Sequence, residues 1–192
     1  MSTYQDDCIY HIYNKGCNEE LVFFDDSNYK LLIRKMIHNY EKYDVSIIAF
    51  CLMPNHYHML LRQNSGGSIL KFLTKIFSAY SEAVKKEQSI SGDVFEGDPK
   101  FIRIEELDHL QNLIWYIHYN PLKASLVRRL ETWKFSNFPE CIGVRNAFPY
   151  DLNLINDTFG STAEYKNFAD KSKDDKIFEL VKSEYLIDYN VK

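Results

Sequence analysis

The chain has 192 residues, 45% of them apolar and 26% charged, with a formal net charge of −4, which allows one real hydrophobic core and excludes a disordered or fibrous class. Its start, "MSTYQDD", lacks the basic and then apolar character of a secretion signal, and no apolar run approaches the roughly 20 residues that span a bilayer, so a cytoplasmic protein without membrane contact is expected. Cys8, Cys17, Cys51 and Cys141 contain no CxxC pair, which argues against a zinc ribbon or a disulfide framework and predicts reduced, mostly buried thiols.

"CIYHIYN" (8–14) is aromatic and β-branched and stops at "KGCN", which predicts a strand and a turn. Asp25, Asp26 and Ser27 are cap and first-turn residues for a helix carrying Leu31, Leu32, Met36 and Tyr40 at helical spacing. "VSIIAFCLM" (45–53) and "HYHMLLR" (56–62) are strand-length apolar runs separated only by Pro54 and Asn55, which predicts an antiparallel hairpin. After the loop "QNSGGS", a second helix aligns Ile69, Phe72, Leu73, Ile76 and Tyr80 on one face. A glycine-rich loop, a short strand "KFIRIEE" and a third helix from Asp108 follow, the last expected to end at Pro121. Beyond about residue 140 the chain turns polar, with one late helix expected near "KIFELVKSEYL". The element order predicts an α+β fold, a ferredoxin-like antiparallel sheet with helices on one face, over residues 1–140, and a C-terminal extension over 141–192.

Strand alternation puts His56 and His58 on the same face and Tyr57 on the other, so the two imidazoles can converge on one cation. The pair alone more often means partly buried rings held by hydrogen bonds. A zinc hydrolase of the HxHxDH type would want an aspartate where "MLLR" follows, and a cupin-like site would want an all-β barrel. On the third helix Leu110, Leu113, Ile114 and Ile117 form the core stripe, and Tyr116, Asn120 and His109 fall together at its edge. On spacing alone, Tyr116 reads as an aromatic at the core's margin in a chain of 14 tyrosines, and Asn120 as a helix C-terminal residue ahead of Pro121. The stretch Arg62, Lys71, Lys75, Lys85 and Lys86 is locally basic against the acidic whole, and by itself reads as a solvated helix face.

Taken together, "MPNHYHMLL" and, about sixty residues later, "YIHYNPLKASLV" resemble the single-tyrosine HUH transposases, most closely the REP-associated tyrosine transposase group. "YHIYNKG", "VFFDDSNY" and a tryptophan followed by "SNF" extend the resemblance over roughly residues 8–140. It implies that His56 and His58 bind a divalent metal with Asn120, that Tyr57 holds the hydrophobic position between the histidines, and that Tyr116 is the nucleophile. It further implies metal-dependent cleavage and rejoining of single-stranded or hairpin DNA through a 5′-phosphotyrosine, with Mg²⁺ or Mn²⁺ as cofactor and a homodimer as one possible assembly. Imidazole ligands by themselves would favour Zn²⁺, Ni²⁺ or Cu²⁺. A tyrosyl phosphodiester conserves the energy of the broken bond, so rejoining needs no ATP.

For the nucleic acid, Lys71, Lys75, Lys85 and Lys86 are expected to line the approach, with Lys100, Arg103, Lys123, Arg128 and Arg129 as a second cluster near the tyrosine helix. The family's "GRFK" after the glycine-rich loop is replaced here by "GDPK", with Asp98 and Pro99 in place of an arginine and an aromatic. That loss bears on DNA affinity or its specificity and leaves the catalytic positions intact; a domesticated, non-cleaving nucleic-acid-binding protein is the alternative reading. His118 faces away from the Tyr116 stripe and is given a structural or phosphate-contacting role; His109 is a weak acid-base candidate.

Overall fold

The computed structural model describes residues 4–105 and 110–172, together with Glu179, Val181 and Ser183. The expected helix end "KIFELVKSEYL" and His109 lie largely or wholly outside the described residues. Four strands, β1 (Ile9–Lys15), β2 (Val45–Met53), β3 (His56–Gln63) and β4 (Lys100–Ile104), form one sheet in the order β2-β3-β1-β4, every neighbouring pair antiparallel. Helix α1 (Asp26–Asn39) connects β1 to β2, and α2 (Ile69–Gln88) connects β3 to β4. Each therefore bridges parallel strands that are separated by a third, which is the ferredoxin-like arrangement the element order predicts.

Local chemistry explains the boundaries. The Asp25 carboxylate accepts from the Ser27 and Asn28 N–H groups and opens α1, and the Ser68 hydroxyl accepts from the Lys71 N–H and opens α2. Pro54 and Asn55 make a two-residue turn, setting Met53 opposite His56 and Cys51 opposite His58. All four cysteines are free thiols; Cys51 and Cys141 are buried, Cys8 and Cys17 partly so.

The sheet is covered on both faces, not one. On one face Tyr10, Ile12, Ile47, Phe50, Tyr57, Met59 and Leu61 pack against Leu32 and Met36 of α1 and Phe72, Ile76 and Tyr80 of α2. On the other, Ile9, Tyr13, Ile48, Cys51, Met53 and Leu60 pack against α3 (Leu110–Lys123) and the chain that follows it. The reason is visible in β2, which from Ile47 to Met53 is apolar on both faces and has no polar face to give to water. The second cover includes α4 (Phe138–Cys141), α5 (Leu152–Phe159) and α6 (Thr162–Lys171), which supply Phe138, Cys141, Ile155, Phe159, Tyr165 and Ala169 to the same core as Tyr116. Asp151 and Ser161 cap α5 and α6. These helices are too short for a strong periodic signal.

Helix α3 also departs from expectation, because it continues through Pro121 to Lys123 and closes at Ser125, whose φ of 57° is left-handed.

Candidate functional site

His56 and His58 lie on the α3 face of the sheet, with ring centroids 5.2 Å apart, and both are buried. Opposite them on β1 stand Lys15 and Tyr13, and diagonal to His58 stands His11. Helix α3 crosses this face. It brings the Tyr116 ring to 5.5 Å from the His58 ring, edge-on, and places Asn120 one turn further along. Tyr57, by strand alternation, points the other way and stacks on Phe77 of α2 at 4.6 Å. The hydrophobic position between the histidines is thus a core anchor that fixes the strand.

Asn120 is held by the proline that follows it. Pro121 has no N–H to give to the Ile117 carbonyl, and the Asn120 Nδ2 reaches that carbonyl at 3.5 Å while donating to the Tyr116 carbonyl at 2.7 Å. With the nitrogen committed to the helix, the amide oxygen turns toward the histidines. That oxygen is buried and accepts no well-formed hydrogen bond among the described residues, although the amide is near enough to His56 and Tyr116 to interact with both.

Burial dominates the electrostatics. It lowers His56 to about 4, opposed by the Asn120 side chain, which favours the protonated ring as an acceptor, and lowers His58 well below the usual imidazole range, helped by His56 and His11. Burial likewise pushes the Tyr116 phenol above its ordinary value; Asn120 opposes this, while Glu179 and Tyr13 add to it. Both imidazoles are therefore neutral at physiological pH, as metal ligands must be, and the phenol holds its proton.

The donor set fits a divalent cation. Two neutral imidazoles and an amide oxygen leave the full charge of the ion, and leave positions for phosphate oxygens and water. Among the described residues no three His, Cys, Asp or Glu side chains gather as a metal site, so an ion here would rest on this two-nitrogen, one-oxygen set.

The family model for IS200-like transposases matches residues 4–119, more than half of the chain and inclusive of both histidines and Tyr116. The chain belongs to the IS200-like transposase family. Among solved structures it is similar to a REP-associated tyrosine transposase bound to a REP hairpin, at 14% identity and a TM-score of 0.62, covering 79% of this chain and 95% of that one. This likeness is one of fold. A putative transposase from Deinococcus radiodurans R1 (16% identity, 59% of this chain and 90% of that one) and the tRNA(His) guanylyltransferase of Saccharomyces cerevisiae (14%, 100% and 83%) both score 0.43, too low to carry a structural inference. No curated protein matches.

For this transposase-family chain, the expected basic residues do not form one surface. Lys71, Lys75, Lys85 and Lys86 ride on α2, across the sheet from the histidines, and Lys85 is paired with Asp93 at 2.9 Å. Asp98 and Pro99 lie near the same helix, lining grooves with Phe77 and Ser78. Arg103 shares that far face and donates to Gln5 at 2.6 Å, whereas Lys100 sits in register with Tyr13 on the histidine side. Lys123 ends α3 and pairs with Glu179 at 3.9 Å; Arg128 and Arg129 follow it, exposed, with Arg129 bonded to Glu131. Arg62 is structural, bound at 2.6 Å to the Asp151 that caps α5. No helix among the described residues is long and apolar enough to cross a membrane.

His118 is structural. Its Nε2 meets the Asn137 Oδ1 at 2.9 Å and its Nδ1 meets the Tyr165 hydroxyl at 2.7 Å, inside the core. Sequence reasoning missed His11 and Lys15, and alternation along "HIYNK" marks them only once β1 is known to pair with β3.

Proposed function

We propose that this IS200-like transposase cuts and rejoins single-stranded or hairpin-ended DNA, with Tyr116 as nucleophile and a Mg²⁺ or Mn²⁺ ion held by His56, His58 and Asn120. The observation that carries the reading is the approach of the Tyr116 ring to the His58 ring within one chain, with Asn120 on the next turn. When bound, the cation would supply Lewis-acid polarisation of a nonbridging phosphate oxygen and stabilise charge on the departing O3′. Tyr116 Oη attacks phosphorus, the P–O3′ bond breaks, and the enzyme is left as a 5′-phosphotyrosine ester. Burial disfavours a free phenolate, so the phenolic proton is expected to leave only as the O–P bond forms, while the departing O3′ takes up a proton and leaves as a 3′-OH. In reverse, a DNA 3′-OH attacks the ester and frees the tyrosine. Since all four residues lie on one chain, a homodimer is not required to assemble the site.

A flexible strand can reach residues buried between a helix and a sheet more readily than a stiff duplex can. The REP-hairpin complex of the structurally similar transposase supports DNA of that kind as the partner. Lys100, on the histidine side of the sheet, and Lys123, Arg128 and Arg129, at and beyond the end of α3, would be among the cations that meet it.

The test is covalent capture. A hairpin oligonucleotide whose cleaved fragment diffuses away is expected to leave a DNA-linked protein in the presence of Mn²⁺, and Tyr116→Phe, which keeps the buried ring, is expected to reduce the adduct below detection. An adduct that survives this change would reassign the nucleophile. Hairpin binding without an adduct under either metal would favour the non-cleaving alternative.

A further inference from the structure

The His58 ring has a second imidazole behind it. His11 Nε2 lies 3.1 Å from His58 Nδ1, the two rings are 5.2 Å apart and nearly parallel at 26°, and both side chains are fully buried. His11 sits on β1, which is paired on both sides, by β3 and β4, so its position is set by the centre of the sheet.

A hydrogen bond between two neutral imidazoles has only two arrangements. If His58 donates from Nδ1, its Nε2 carries a lone pair and can bind a cation, and His11 carries its proton on Nδ1. If His11 donates from Nε2, His58 must carry its proton on Nε2, and that nitrogen cannot coordinate. Because the Nδ1 of His58 is the atom that faces His11, the Nε2 is the atom left for the site, and only the first arrangement makes His58 a ligand.

We infer that His11 is a positioning residue: it accepts the Nδ1 proton of His58 and thereby holds that ring in the Nε2-coordinating tautomer and orientation. The inference rests on the metal reading proposed above. The residue behind a metal-bound histidine is commonly a carboxylate, which adds negative charge to the site; a neutral imidazole fixes the tautomer without doing so. For a phosphodiester substrate, itself an anion, that choice leaves the cation's charge undiminished. His11 touches neither metal nor DNA in this role, and its effect passes through His58 alone.

The experiment uses the full chain, labelled with ¹⁵N at histidine and stripped of metal, at pH 7.5. Long-range ¹H–¹⁵N correlation spectra are expected to show His58 protonated at Nδ1, and His11→Phe to release it into a mixture of tautomers. Mn²⁺ affinity, read by calorimetry, is expected to fall about 10- to 100-fold in His11→Phe. His11→Gln, whose amide oxygen can stand in for the accepting nitrogen, is expected to recover most of it. A wild-type His58 protonated at Nε2 overturns the inference, and this readout needs no variant to fold. Mn²⁺ affinity lost in His58→Ala but unchanged in a folded His11→Phe overturns the positioning role alone. Affinity retained in His58→Ala overturns the metal site, and this inference with it.

Discussion

Pro121 deletes the backbone N–H that would have bonded to the Ile117 carbonyl, and the side chain of Asn120 takes up part of that loss. The same bond, with the stronger one to the Tyr116 carbonyl, decides which end of the amide faces the histidines. Asn120→Asp separates the two roles. A carboxylate cannot donate, and the Ile117 carbonyl, which receives no N–H from Pro121, then loses its donor, so the metal-free variant is expected to lose about 1–3 kcal/mol, and more for any charge it buries. As a ligand, however, a carboxylate oxygen is harder and charged, and Mn²⁺ is expected to raise the melting temperature of Asn120→Asp further than that of the wild type. An equal or smaller rise would mean that position 120 does not touch the ion. None of this geometry is visible in "YIHYNP" alone: spacing puts Tyr116 and Asn120 on one helix face, but which atom of the amide points outward depends on carbonyls that a string of residues does not display. His11 was illegible for a related reason, since its partner His58 lies 47 residues away and meets it only through the β1–β3 register.

Among the elements, those defined by local chemistry were readable. The β2–β3 hairpin follows from Pro54 and Asn55 between two apolar runs, and α2 from the cap at Ser68 and its apolar stripe. What covers the far side of the sheet was not, because it is assembled from α3 and short helices with weak individual patterns. Their docking runs through Asn137, in the "SNF" stretch. Its Oδ1 accepts from the Phe50 N–H at 2.7 Å and faces His118 Nε2, and its Nδ2 donates to the Ile48 carbonyl at 3.0 Å. One side chain thus ties the edge strand β2 to the helix that carries Tyr116. Asn137→Ala would leave buried donors and an acceptor unpaired together, and is expected to cost about 3 kcal/mol or more, at roughly 1–3 kcal/mol per unsatisfied group. A lower urea midpoint with an unchanged m-value would register the loss; a shift under 1 kcal/mol would mean that water or a neighbour replaces the amide.

At the scale of the whole molecule, the fold keeps four histidines neutral inside it. Burial lowers His11 to about 3, His56 to about 4 and His118 to about 4, and takes His58 well below its usual range. Each folded-state value lies beneath the unfolded value near 6.5, so between them the proton binds the unfolded chain and not the native one. Stability from these rings is intact above about pH 6.5 and drains as the pH falls toward 4, at about 1.4 kcal/mol per ring per pH unit. Four such rings acting together can exhaust a typical stability of about 5–15 kcal/mol within this window. The carboxylates held low, Asp6, Asp25 and Glu131, lose their contribution only below their own unfolded values and cannot account for an earlier loss. Unfolding in EDTA is therefore expected to take up more than two protons per molecule at pH 5.5, read from the pH dependence of the unfolding free energy. His118→Gln, which lies in the core rather than among the proposed ligands, is expected to lower that number by nearly one. Uptake below one proton in the wild type would show that these imidazoles are hydrated in solution, and that the core around the candidate site is open to water.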